Sequence, residues 1–171
     1  MTRTRTSFLG LLEVLVLLGV PVAWAQQAPV APVAPVPAQI ITAKNVFISN
    51  AGVDATSPVD FKRARGPNEP YNHFYIAMKR WGRYELVGTP ADADLVLQLR
   101  FSAPLSSCET YQPQLTLAVL DTKTHFQLWT FTEMVEDAHR KGAWDKNLKD
   151  GIDNLVDDLT QLAGQPAVAS R

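Results

Sequence analysis

The sequence predicts an α+β domain, a two-layer sandwich in which a mainly antiparallel sheet of about five strands carries two helices on one face. Three observations carry this expectation. From Asp94 to Ser102 the residues alternate, with Leu95, Leu97, Leu99 and Phe101 on one side and Gln98 and Arg100 on the other, the period of two that marks a half-buried strand. Gln114 to Asp121 and His125 to Met134 form two β-prone runs around Thr122-Lys123, which read as a hairpin. Trp144, Leu148, Ile152, Leu155, Val156, Leu159, Leu162 and Ala163 recur at helical spacing, one apolar stripe that must find a sheet to cover.

Taken in order, the chain opens on a targeting segment. Met1 to Arg5 carries two arginines and no acid, Phe8 to Val22 is almost wholly apolar, and Ala23-Trp24-Ala25 closes the run. A charged start, a greasy centre and small residues at the third and first positions before the cut are the order of a secretory signal. Cleavage is expected between Ala25 and Gln26. The greasy run is short of the about 20 residues that span a bilayer core, and Glu13 lies inside it. Arg3 and Arg5 are separated by Thr4, so general secretion is favoured over a twin-arginine route. The single cysteine, Cys108, is far from the cut, so no lipid attachment is expected there.

Residues 26–39 read QQAPVAPVAPVPAQ. Proline fixes φ and removes a donor, so this stretch is expected to be an extended, solvated spacer. A single domain is expected over 40–165, with a disordered tail at 166–171. Lys44 to Ser49 is the first β-prone run, and Asn50 to Pro67 is a loop broken by Gly52, Pro58, Gly66 and Pro67. Asn68 is placed to cap a helix that tolerates Pro70 in its first turn. Tyr71, Phe74, Tyr75, Met78 and Trp81 then keep helical spacing until Gly82 stops them. Arg83 to Val87 is a short strand before the turn Gly88-Thr89-Pro90. A two-residue hairpin turn would set Val119 against Phe126 and Leu117 against Leu128, leaving Trp129 and Phe131 on the polar face.

The composition removes several functions. With 16 Lys+Arg against 17 Asp+Glu and a net charge of −1, the chain is no strongly basic nucleic-acid binder. One cysteine excludes an internal disulfide framework, a CxxC redox pair and a thiolate-rich zinc cage. No GxSxG, HExxH, P-loop or GxGxxG string occurs, so common hydrolase, phosphate and hydride chemistry have no support in the sequence. Cys108 as a nucleophile would need His73, His125 or His139 beside it. Glu133, Glu136, Asp137 and His139 crowd one connection, but their spacing matches no established metal loop. No catalytic, cofactor or metal residue is therefore assigned, and the expectation is a protein that is not an enzyme.

Surfaces remain. Lys62, Arg63 and Arg65 in the first loop and Lys79, Arg80 and Arg83 near the first helix end form a candidate basic patch for an anionic envelope component or a partner protein. Trp129 and Phe131 are a second candidate, as aromatic anchors on an open sheet face.

The stretch from the first helix onward resembles a family of small bacterial envelope domains of unknown function, often lipoproteins. Gly82-Arg83-Tyr84-Glu85-Leu86-Val87, Ala91-Asp92-Ala93-Asp94-Leu95-Val96-Leu97, Leu117-Ala118-Val119-Leu120-Asp121 and Leu128-Trp129 carry the resemblance. It is similar also to the β-α-β units of the curli-secretion lipoprotein and of the amino-terminal domain of the Tol-system translocation protein. The resemblance implies an exported, periplasmic or secreted, non-catalytic envelope accessory or protein-interaction module. The alternatives are a periplasmic small-ligand or metal-binding protein and, less favoured, a cysteine-dependent hydrolase.

Overall fold

The alternating run expected at Asp94–Ser102 is β3 (Leu95–Ser102), the middle of a five-stranded sheet. It is flanked by β1 (Asn45–Val53) and β4 (Gln114–Asp121); β2 (Glu85–Leu86) and β5 (Gln127–Met134) are the edges, in the order β2-β1-β3-β4-β5. Three α-helices complete the described fold: α1 (Ala38–Thr42), α2 (Glu69–Trp81) and α3 (Lys141–Ala163). The computed structural model describes residues 35–53, 66–105 and 111–164.

The architecture is the expected α+β sandwich, with a sheet more mixed than expected. β1 runs parallel to both β2 and β3, while β3, β4 and β5 form an antiparallel meander. The reason is α2. A helix between two strands returns the chain to the end where it started, so β1-α2-β2 is a parallel crossover.

Core residues lie on one side of the sheet. Val46, Ile48, Leu95, Leu97, Leu99, Leu115, Leu117 and Val119 are buried beneath the helices. α2 contributes Phe74, Ala77 and Met78, and Gly82 ends it at φ +70 with its N–H on the Met78 carbonyl at 3.1 Å; that left-handed conformation is one glycine reaches without strain. Asn68 does not cap the helix through its side chain; its Oδ1 accepts from Asn50 Nδ2 at 3.0 Å instead. α3 buries the whole expected stripe from Trp144 to Ala163. Gly151 is also buried in α3, where a Cβ would sit 3.4 Å from both Leu115 Cδ1 and Val135 Cγ2. The sheet meets the helix at that point.

Two further details depart from the sequence reading. Val36 is buried at 7% exposure and Ala38-Gln39 begin α1, whose Ile40 is fully buried. The last residues of the Ala-Pro-Val stretch thus belong to the packed layer, drawn in by apolar side chains that composition alone assigned to a spacer. The hairpin register is also different: Val119 faces Trp129 and Leu117 faces Phe131, with an irregularity between Val119 and Leu120. Asp121 causes this. Its carboxylate accepts from the Thr124 N–H at 3.0 Å and hydroxyl at 2.6 Å, and its carbonyl accepts from His125 N–H at 2.9 Å. With His125 at φ +59, the turn is wider than two residues. An odd displacement carries side chains to the other face, so Trp129 and Phe131 join the helix-covered side.

Truncating Leu155 or Leu159 to Ala should lower stability by about 2–5 kcal/mol, read as a shift of the chemical denaturation midpoint. An unchanged midpoint in both variants would show that α3 does not hold the core.

Candidate functional site

The residues singled out as a surface separate into three groups. Lys62, Arg63 and Arg65 lie outside the described residues, as does Cys108, the nucleophile considered above. Trp129 and Phe131 are half-buried against the core, their rings 6.4 Å apart. They are packing groups on the helix side, not anchors on an open face. The three basic residues at the end of α2 do not act together. Lys79 is exposed, whereas Arg80 reaches Asp153 of α3 at 2.9 Å, and Lys149 pairs with that same carboxylate.

Arg83 is a structural clamp. Its guanidinium donates to the Ile41 carbonyl at 2.9 Å and the Ala163 carbonyl at 3.3 Å, tying the ends of α1 and α3 together. It also lies 5.5 Å above the Tyr84 ring, whose hydroxyl donates to the Ile40 carbonyl at 2.9 Å. Both bonds come from Nη2, whose two hydrogens serve one carbonyl each. Burial pushes the Tyr84 hydroxyl above its ordinary pKa, and Arg83 partly opposes it.

Titratable groups are dispersed. His73 sits 3.8 Å from the buried Glu69 within α2, His125 lies in the hairpin turn, and His139 is exposed ahead of α3. Among the described residues no three His, Cys, Asp or Glu side chains are grouped to hold a metal ion. Nor is any described helix long and apolar enough to cross a membrane.

Two aspartates fasten strand ends. Asp94 accepts the N–H groups of Asn45 and Lys44, each at 2.9 Å, and these bonds hold its carboxyl below the usual range. The Thr124 hydroxyl does the same for Asp121. Both line a depression of about 340 Å³ with Thr42 and Lys123. Their lone pairs already serve the fold. Glu133 behaves in the opposite way. Burial raises its pKa, the neighbouring Asp158 raises it further, and Asn154, whose Nδ2 donates at 3.4 Å, opposes the shift.

The candidate site is the sheet face turned away from the core. Register places Phe47, Val96 and Leu120 side by side there, with Gln98 beside Ala118 and Arg100 beside Thr116. Thr130 and Thr132 continue this face onto β5. The apolar members are half-buried and Gln98, Arg100, Thr130 and Thr132 are exposed. At one end, a 3-10 turn (Pro90–Asp92) helps form a depression of about 320 Å³, lined also by Val96, Gln98, Leu120 and His125. The alternation of β3 announced this face in the sequence. The clamp role of Arg83 had no local signal, because its partners are 42 and 80 residues away.

No protein-family model matches the chain, and no curated protein matches it in sequence. Similar solved structures include the PelC dodecamer from Paraburkholderia phytofirmans, at 14% identity and TM-score 0.46, covering 74% of this chain and 93% of that one. The LpoB C-terminal domain from Salmonella enterica is 14% identical at TM-score 0.38, with 55% and 83% covered. An uncharacterised lipoprotein B from Nitrosomonas europaea is 11% identical at TM-score 0.41, with 77% and 95% covered. These are distant likenesses of shape, and the functional reading rests on the chain's own residues.

Two outcomes follow from the geometry. Arg83→Ala should lower stability by about 1–2 kcal/mol, the lower range for charge-assisted hydrogen bonds, and Arg83→Lys should recover only part of it, since the shorter side chain brings no planar guanidinium over the Tyr84 ring. Thermal and chemical denaturation check this; wild-type stability in Arg83→Ala would remove the clamp. The second concerns acid. A depressed folded pKa adds stability that is present above the unfolded carboxyl value of about 3.9 and lost as pH falls through the folded one. Asp94→Asn should therefore be less stable than the parent at pH 7, with the gap closing below about pH 4. A gap that stays constant with pH would refute the assignment.

Proposed function

We propose that the chain is an exported, non-catalytic interaction module of the cell envelope that presents one face of its sheet to a partner protein. The export half of this reading rests on the order of charge, apolar run and Ala23-Trp24-Ala25 at the N-terminus. The interaction half rests on one observation: helices pack on one side of the sheet, while the other side keeps half-buried Phe47, Val96 and Leu120 among exposed hydrogen-bonding residues. Apolar centres ringed by polar groups are the makeup of a protein contact. An anionic component is the weaker choice of partner, because Arg80 and Arg83 are engaged within the fold.

A second reading, a small-ligand-binding protein, is favoured by the depression beside Val96, Leu120 and His125.

Photo-crosslinking residues placed at Gln98, Arg100 and Thr116 in intact envelopes should give a discrete protein adduct. Positions Asn72 and Lys146, on the exposed helix layer, should not. A small molecule retained in native mass spectrometry and expelled by Leu120→Trp, with no adduct, would replace this reading by the ligand one. The exported chain should begin at Gln26, checked by intact mass; a start elsewhere would correct the cut.

A further inference from the structure

The two edges of the sheet are finished differently. At one edge β2 is only two residues long. Beyond it the Ile48 carbonyl of β1 accepts from the Tyr71 hydroxyl at 3.5 Å, and Asn50 folds its Oδ1 onto the Gly52 N–H at 2.8 Å. That edge is short and occupied by side chains. At the other edge β5 runs for eight residues, Gln-Leu-Trp-Thr-Phe-Thr-Glu-Met, without a proline, lysine or arginine. Its irregularity is confined to the first residues, so Trp129 to Met134 are regular. Val135 donates its N–H to Pro113 at 2.8 Å. By alternation, the N–H groups of Thr130, Thr132 and Met134 point away from β4. No described strand receives them.

Such an edge is a template for another strand, and proteins ordinarily blunt it with Lys, Pro or a bulge along its length. β5 has none of these over its regular part, where Glu133 is its one charge, and Phe126 (72%) just ahead of the strand and Met134 (52%) at its end are exposed. Charge selects the occupant. Glu133 and Asp158 lie close enough to raise the Glu133 pKa, and neither is in an ion pair among the described residues. The lysines of α3 are committed to their own helix, Lys141 to Asp145, Lys146 to Asp150 and Lys149 to Asp153. A second copy would bring the same carboxylates to the same edge. A cationic strand would relieve them.

We propose that the free edge of β5 is a strand-addition site for an extended segment of a partner protein, with an Arg or Lys of that segment settling at Glu133 and Asp158. This rests on the interaction reading and gives the partner its chemistry: an extended, alternating, basic peptide.

The test uses the full-length chain, isotope-labelled, and two capped octapeptides of alternating Thr and Val, one with a central Arg and the other with Glu in its place. Amide shifts and slowed exchange are expected at Thr130, Thr132 and Met134 with the Arg peptide, and binding about tenfold weaker or more with the Glu peptide. Thr132→Pro removes an outward N–H while sparing the β4 ladder and should abolish binding; Thr132→Lys serves the same end should the proline variant unfold. Glu133→Gln with Asp158→Asn should remove the preference for Arg. Absence of β5 shifts with either peptide overturns strand addition, and equal affinities overturn the charge assignment. Concentration-dependent self-association lost in Thr132→Pro, without peptide binding, overturns the occupant in favour of a second copy. Open-face crosslinks would survive all three results, so failure here is distinct from failure of the interaction reading.

Discussion

The contact between the apolar stripe of α3 and one face of the sheet is what every other feature depends on. Leu148, Ile152, Leu155 and Leu159 are buried to 1% exposure or less, and Gly151 is buried where an added Cβ would touch Leu115 and Val135. A helix interrupted by glycine is a poor helix alone, by roughly 1 kcal/mol, so this one is held by what it covers. The same docking sets a limit on the fold. One layer of helices covers one face of a five-stranded sheet, and the other must meet water or a partner. The exposed Gln98 and Arg100 beside half-buried Val96 and Leu120 are the sequence's compromise between those two states.

Periodicity is local, and what depended on it was legible. The alternation of β3 and the stripe of α3 needed only neighbours two, three and four residues away. Register was harder, because it is set by the turn and not by the strands. Asp121 followed by Thr124 is the combination that folds its own backbone into a wider turn, and reading Thr122-Lys123 as the whole turn placed Trp129 and Phe131 on the wrong side. The parallel placement of β1 beside β3 had no local trace either. Nor did Arg83, which looks like surface charge in the sequence. Its two carbonyl partners come from helices at opposite ends of the described chain, and only the packed layer brings them within one guanidinium's reach.

The N-terminal boundary shows how composition misleads. A repeated Ala-Pro-Val describes a spacer well until apolar side chains come within reach of a core. Val36 and Ile40 do so, and Tyr84 closes over the turn they form by bonding the Ile40 carbonyl. The packed layer therefore begins earlier than the first strand.

Charge on α3 divides along the helix in a way the stability of the helix does not require. The three lysine–aspartate pairs are spaced four apart with lysine first, the less favourable order relative to the helix dipole, and each is worth a few tenths of a kcal/mol at best. They compensate charge more than they hold structure. Past Asp153 the compensation stops: Asp157 and Asp158 follow with no lysine behind them before the helix ends. Asp158 lies beside Glu133, where burial already disfavours a carboxylate. A raised folded pKa means that stability is fully present below the unfolded value and is lost as pH rises through the folded one, so at neutral pH this corner of the fold carries a standing cost. Asp145, Asp150 and Asp153 are instead met by a lysine four residues before them, and Asp94 by backbone N–H groups. A carboxylate pair with one Asn154 amide and no cation among the described residues, beside an eight-residue edge strand free of lysine and proline, is hard to explain by the needs of the fold, and simple to explain by a cation supplied from outside it.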